Sequence, residues 1–113
     1  MKSVRTFTAT IYVGTKDRDT GDVCDIDMIR RHLQAYVDYA GLCVTISQTE
    51  FIYTDGSEKG VSVGLINYPR FPSSSKEILN HALLIGEILM KACKQKKVSI
   101  VTPKKTFMLG DEE

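Results

Sequence analysis

The sequence lacks the features that would assign an activity at once. It contains no Gly-x-Ser-x-Gly, no P-loop, no Gly-x-Gly-x-x-Gly and no His-Glu-x-x-His. The three cysteines form no Cys-x-x-Cys pair, and no set of His, Cys, Asp and Glu has the spacing of metal ligands. The two histidines, His32 and His81, stand alone on predicted helices. We therefore expect neither a metal site nor a cofactor.

Strong net charge and long apolar runs are also absent. A net charge of +1 gives no overall field that would attract long nucleic acid or a membrane. No apolar run approaches the length of a membrane span, and no signal segment precedes the first strand. Cys43 alternates with strand residues and Cys93 falls on the apolar face of a predicted helix, so we expect both to be small core residues. We expect a cytoplasmic protein, in the host cytoplasm if its origin is viral.

The length and composition predict one domain over residues 1–113. The chain is 42% hydrophobic and 26% charged, which is ordinary for a globular protein with one modest core.

The hydrophobic periodicity predicts alternating strands and helices. Asp25 or Asp27 can cap a first helix that ends at Gly41, and Ser74 with Glu77 fits a capping box for a second helix. The apolar parity changes within the second strand, so we predict a bulge between Ser47 and Glu50. A polar turn, residues 54–60, would follow this strand. The predicted strands are residues 5–14, 42–53, 61–66 and 98–102, with a possible short edge strand at 106–109.

This β-α-β-β-α-β order predicts an α+β, ferredoxin-like fold, an antiparallel sheet with both helices on one face. The other face would carry semi-polar residues, and such a face often contacts a second subunit. We therefore expect a homo-oligomer. The residues predicted on that face are Thr6, Thr8, Thr10, Tyr12, Cys43 and Thr45.

The strongest candidate for ligand contact is the segment of residues 67–72, which we call the proline strap. Its two prolines restrict the backbone and present Asn67, Tyr68 and Arg70 on a stiff segment just before the second helix. Asparagine both donates and accepts, tyrosine stacks, and arginine grips phosphate or carboxylate with two parallel hydrogen bonds. In the alternative interpretation, Tyr68 packs under the helix and Arg70 faces water.

Two further groups are weaker candidates. Lys104 and Lys105 follow the fourth strand and could add charge for an anionic ligand, although such pairs more often only face solvent. Glu50 and Tyr53 could act as general base and acid if a cleft shifted their pKa values toward neutrality. Glu58, in the predicted turn, is more simply interpreted as a solvated residue.

The element order over residues 5–109 resembles the PII-like and CutA-like group of small trimeric proteins. The segment Gly64 to Pro72, together with Ala9 to Gly14, also resembles small bacteriophage proteins. The first resemblance implies a trimer with sites, often for nucleotides, between subunits. A phage origin adds a similarity to phage S-adenosylmethionine lyases, although no motif maps their catalytic glutamate onto Glu50 or Glu58.

Three functions remain open from the sequence. The first is an oligomeric binding protein for a small anionic, nucleotide-like ligand, for instance a phage protein that sequesters a host signalling nucleotide and so weakens antiviral defence. The second is a small phage lyase with an active site between subunits. The third is a structural assembly protein that oligomerises through its threonine-rich face.

Overall fold

A five-stranded antiparallel sheet with two helices forms the fold of this protein in the computed structural model, which describes residues 1–110. The sheet order is β2-β3-β1-β4-β5, so the predicted α+β, ferredoxin-like arrangement with a short fifth strand is confirmed. The elements are β1 (Thr8–Gly14), α1 (Ile26–Ala40), β2 (Thr45–Tyr53), β3 (Gly56–Ile66), α2 (Ser75–Ala92), β4 (Lys97–Val101) and β5 (Thr106–Gly110).

The core lies between the helices and one face of the sheet. Alternation in β1 buries Ala9, Ile11 and Val13 at 1% exposure or less. The same face receives Ile85 and Leu89 from α2, both almost fully buried. Burying a branched aliphatic side chain contributes about 1.5–3 kcal/mol, so this face holds the sheet and helices together. The opposite face has no helix on it, and we call it the open face.

Both helices begin, and α1 ends, where the sequence predicts. The Asp25 carboxylate accepts a hydrogen bond from the Met28 N–H at 2.8 Å, and Gly41 ends α1 with a φ of 72°. Ser74 and Glu77 form the predicted capping box at the start of α2. Each side chain thereby satisfies a backbone N–H that the first helical turn leaves without a partner.

The bulge predicted in β2 is wrong. The pairing of β2 with β3 is unbroken from Thr45 opposite Gly64 to Tyr53 opposite Gly56. The change of parity has another cause, because β2 places Ile46 on the helix face and Phe51 on the open face. Ile52, on the helix side, is 82% exposed, so the helices do not cover this end of the hairpin.

The seven-residue turn predicted at 54–60 is also wrong. Only Thr54 and Asp55 connect the two strands, and β3 begins at Gly56. Asp55 has a φ of 62°, which the short connection requires. Glu58 and Lys59 therefore lie in a paired strand rather than in a mobile tip.

The cysteines divide between core and surface. Cys93 is buried at 2% exposure, as predicted, and burial raises the pKa of its thiol. It donates a hydrogen bond to Cys24 Sγ at 2.9 Å. The prediction for Cys43 is wrong, because this residue is exposed and its thiol donates to the Tyr68 hydroxyl at 3.5 Å.

Within residues 1–110, neither helix has the length and apolar character needed to cross a membrane.

The capping box of α2 predicts a pH-dependent contribution to stability. Hydrogen bonds from the Ser74 backbone and hydroxyl lower the pKa of Glu77 from its ordinary value of 4.5. Such a carboxylate stabilises the fold fully above pH 4.5, and this stabilisation is lost as the pH falls through the lower pKa of the folded state. Glu77→Gln should therefore lower the free energy of unfolding at pH 7, with a difference from the wild type that closes below pH 4.5.

Urea unfolding at a series of pH values checks this expectation. Glu87→Gln is the matched control, since Glu87 is an exposed glutamate in the middle of the same helix. A difference for Glu77→Gln that stays constant across the acid range would contradict the role assigned to the capping box.

Candidate ligand-binding site

Two glycines paired across neighbouring strands create a depression in the open face. Gly14, at the end of β1, lies directly opposite Gly60 in β3. Because neither has a side chain, the sheet surface is bare at this point, and neighbouring groups close over it. The Phe51 ring lies over Gly60, where an added Cβ atom would overlap it. An added Cβ at Gly14 would lie 2.7 Å from Gln95 Oε1.

We call this cavity the glycine hollow. Its volume is about 500 Å³, which lies within the range of small-molecule sites. The sheet, the loop after β1 and the segment after α2 all contribute to its lining. The lining residues are Tyr12, Gly14, Lys16, Asp17, Arg18, Asp19, Phe51, Glu58, Lys94, Gln95, Lys96, Lys97 and Ser99.

An aromatic pair borders the glycine hollow on the sheet side. The ring centroids of Tyr12 and Phe51 are 6.3 Å apart, and the rings meet edge to face at 70°. Tyr12 is 39% exposed, so part of its ring is accessible to a ligand. A flat heterocycle can stack on such rings.

Glu58 supplies a partly shielded carboxylate. Its side chain is 17% exposed, and its Oε1 accepts a hydrogen bond from Arg18 Nη2 at 3.1 Å. This bond raises the pKa of Arg18. The other oxygen, Oε2, lies 3.6 Å from the position that a Cβ would take at Gly14. One carboxylate oxygen thus holds Arg18, and the other faces the glycine hollow.

The loop after β1 is ordered by its own backbone. Lys16 pairs with Val23, and the Asp17 N–H donates to Asp22 O at 2.8 Å. The Asp17 side chain folds inward and accepts the Asp19 N–H at 2.9 Å, which holds the pKa of its carboxyl below the usual value. The loop is therefore a fixed side of the glycine hollow.

Gln95 joins this loop to the end of α2. Its Nε2 donates to Lys16 O at 2.8 Å and to Cys93 O at 3.0 Å. With both amide hydrogens engaged, Gln95 Oε1 is left facing Gly14.

The proline strap lies at the other end of the sheet. It follows Ile66, which pairs with Thr8 at the start of β1, whereas the glycine hollow lies at the end of β1, about 20 Å away along the strand. The Asn67 side chain donates to Arg5 O at 2.8 Å and accepts from Ser73 N–H at 2.9 Å. The Asn67 amide is therefore engaged, as donor and as acceptor, in hydrogen bonds within the chain.

The remaining strap residues are only partly engaged. Tyr68 stacks on Phe71 with centroids 5.2 Å apart, and the hydrogen bond with Cys43 raises the pKa of its phenol. Arg70 is exposed. Lys104 and Lys105 are exposed in the connection between β4 and β5, at the same end of the sheet as the strap. Ligand binding by these groups stays a prediction.

Glu50 and Tyr53 do not meet within one subunit. Side chains alternate along a strand, so residues three apart in β2 point to opposite faces. Glu50 pairs with Lys59 and is exposed, while Tyr53 lies over Gly56 on the open face and is 50% exposed. Their proposed role as acid and base stays a prediction.

Sequence reasoning missed most of the glycine hollow because its parts are far apart in the chain. The sequence pattern predicts Glu58 in a turn and Tyr12 on the face that contacts a second subunit, so neither indicates a cavity. The available signal was a glycine at the end of one strand and another within the hairpin, at Gly14 and Gly60, but their pairing depends on the register. Across the described part of the chain, no cluster of His, Cys, Asp and Glu could hold a metal ion.

Comparisons with known proteins identify the fold. The sequence matches no protein-family profile and no curated protein. A phage SAM lyase in complex with S-methyl-5′-thioadenosine has a TM-score of 0.75, with 17% identity over 94% of this chain and 90% of that chain. A phage SAM lyase in the apo state has a TM-score of 0.73, with 18% identity over 95% of this chain and 90% of that chain. At such identities the likeness establishes a shared fold.

The hydrogen bonds of Asn67 predict a structural role for this residue. Asn67→Ala should destabilise the protein by about 1–2 kcal/mol, because two protein groups lose their partner. Urea unfolding measures the change, and Arg70→Ala is the control from the same strap. That substitution should stay within about 0.5 kcal/mol of the wild type, as exposed positions do. Equal effects of the two substitutions would contradict this assignment.

Proposed function

We propose that the protein is a small enzyme of the phage S-adenosylmethionine lyase kind, and that it binds its substrate in the glycine hollow. One observation supports this most: the hollow combines accessible aromatic rings with a shielded carboxylate, in a chain whose fold matches a SAM lyase bound to S-methyl-5′-thioadenosine over 94% of its length. Of the three functions considered from the sequence, the lyase is therefore favoured over the binding protein.

The lining residues suit the parts of such a substrate. Tyr12 and Phe51 offer faces and edges for the adenine ring. Glu58 Oε2 lies on the Gly14 side of the cavity lining, where it can accept a hydrogen bond from a ribose hydroxyl or lie near the positively charged sulfonium. Arg18 holds the other carboxylate oxygen and so fixes the direction of the side chain. Positioning of this kind lowers the barrier because the reacting atoms are already aligned.

A lyase reaction on this substrate makes few demands on the protein. The electron pair of the bond between sulfur and the amino-acid arm goes to sulfur, which becomes the neutral thioether of S-methyl-5′-thioadenosine. The carbon left behind is taken by an oxygen of the substrate's own carboxylate, giving a lactone. Charge and atoms balance without water or proton transfer. Such a site therefore needs positioning groups rather than the acid and base sought at Glu50 and Tyr53.

The test of this function is incubation with S-adenosylmethionine, followed by mass spectrometry of the products. Wild-type protein should release S-methyl-5′-thioadenosine and the lactone. Glu58→Gln should lower kcat/KM by about 10- to 100-fold, because a charged contact to the substrate is lost. Glu50→Gln is the matched control on the opposite face of the sheet and should retain activity.

Three results would count against this function or against its site. Binding of S-adenosylmethionine without any product would favour the sequestering protein. Loss of activity in Glu50→Gln, with Glu58→Gln unaffected, would leave the lyase function standing and place its catalytic residues at Glu50 and Tyr53. Neither binding nor turnover would favour the assembly protein.

A matched pair of glycines tests the location of the site. Gly14→Ala places a methyl group in the hollow against Gln95, whereas Gly64→Ala places one on the same face at a similar 2.7 Å from Thr45 Oγ1. Calorimetric titration with S-methyl-5′-thioadenosine should show at least about tenfold weaker binding to Gly14→Ala, since overlap in a packed site costs about 1–3 kcal/mol. Gly64→Ala should bind as the wild type does. Equal affinities for the two variants would place the ligand elsewhere.

We further propose that the open face contacts other copies of the chain, in a trimer that completes the site. Exposed apolar side chains on this face support the idea, notably Ile66, Val101 and Met108 at 45%, 39% and 47% exposure. Native mass spectrometry of the purified protein measures the subunit number, and a monomer at micromolar concentration would contradict the proposed trimer.

We also propose a phage origin and a cytoplasmic location for this protein.

A further inference from the structure

Lys94 occupies a backbone position that normally favours glycine. It follows the C-cap of α2 with a φ of 53°, in the left-handed region. The chain uses Gly41, with a φ of 72°, to end α1. Residues with a Cβ atom are strained in this conformation, so lysine costs free energy here relative to glycine. A role for the Lys94 side chain would offset this cost.

Lys94 is one of the residues that line the glycine hollow. It lies beside the loop after β1, where the Asp19 N–H first and the Lys94 charge to a lesser degree lower the pKa of Asp17. The left-handed backbone turns the chain from α2 toward β4, and Gln95 then reaches back to Lys16 O. Lys94 is therefore held at the junction of the two segments that border the cavity.

The ion pairs of the glycine hollow leave positive charge without a partner. Arg18 pairs with Glu58 at 3.1 Å, and Lys96 lies 4.0 Å from Asp19. Lys16, Lys94 and Lys97 also line the cavity and make no ion pair within residues 1–110, although the Lys94 charge acts on the Asp17 carboxylate. Counting Asp17, five basic side chains and three carboxylates line the cavity. A cavity with this surplus suits a ligand that carries an anionic group in addition to its aromatic ring.

We propose that Lys94 is a specificity-determining residue that binds the carboxylate on the amino-acid arm of an adenosyl ligand. This inference rests on the function proposed above and assigns one part of the substrate to one side chain. S-methyl-5′-thioadenosine has no such carboxylate, so cleavage removes the group that Lys94 holds. The site then favours ligands that retain the arm and releases the thioadenosine product more readily.

The test compares two thioethers that cannot undergo sulfonium cleavage. S-adenosylhomocysteine carries the amino-acid arm, and S-methyl-5′-thioadenosine does not. Calorimetry on the wild type should give the tighter binding for S-adenosylhomocysteine. Lys94→Gly should weaken that ligand by about tenfold, the value of one charged hydrogen bond at a partly exposed site, and leave the thioadenosine within about twofold.

Asp55→Gly is the matched control. Asp55 is the other non-glycine residue with positive φ among residues 1–110, and it does not line the glycine hollow. Both glycine variants should have a raised midpoint of thermal unfolding, because each relieves the same backbone strain. Asp55→Gly should bind both ligands as the wild type does.

The outcomes separate this inference from the proposed function. If both ligands bind, but Lys94→Gly leaves the homocysteine ligand unchanged or weakens both equally, the role of Lys94 is wrong and the proposed function stands. If neither ligand binds the wild type, the proposed function fails. Adenosine 5′-monophosphate and adenosine then test the anion site alone. If Lys94→Gly weakens the binding of the monophosphate but not of adenosine, the anion site is supported. If Lys94→Gly binds the monophosphate as tightly as the wild type does, the anion site is overturned.

Discussion

The pairing of Gly14 with Gly60 is the constraint on which the candidate site depends. Two adjacent strands have no side chain at the same row of the open face, and this leaves a patch of bare backbone there. The register that joins these glycines also places Glu58 two residues away on the same face. Phe51 on one side and Gln95 on the other close over the bare row. A shift of β3 by one residue would move both Gly60 and Glu58 to the other face.

One-sided coverage of the sheet determines which face is accessible to a ligand. The helices bury the other face completely enough that Ile11, Val13 and Ile100 have no exposed surface. The open face keeps its polar and apolar groups accessible, and its two ends differ. At the end of β1, three segments converge on a cavity with charged groups of both signs. At the start of β1, the Asn67 amide of the proline strap is engaged in hydrogen bonds within the chain.

Local patterns in the sequence predicted the fold well, whereas the site depended on contacts that no local pattern contains. Alternation in β1, the cap at Asp25 and the glycine stop at Gly41 follow from neighbouring residues alone. Polar residues and glycines near Asp55 suggest a long turn, but the strand pairing continues through them. This pairing places Glu58 on the open face, where its side chain is partly shielded. The restriction that two prolines place on the backbone of the proline strap is likewise a local property. Its use for a ligand was a separate inference, which stiffness alone could not support.

The most direct test of the central claim is a two-dimensional ¹⁵N–¹H NMR titration of the labelled protein with S-methyl-5′-thioadenosine. The account predicts saturable shifts of the backbone amides of Tyr12, Gly14, Phe51 and Gln95, which surround the glycine hollow. The amides of residues 67–71 should stay in place. Saturable shifts confined to that strap, or no shifts at millimolar ligand, would contradict the assignment of the glycine hollow as the site.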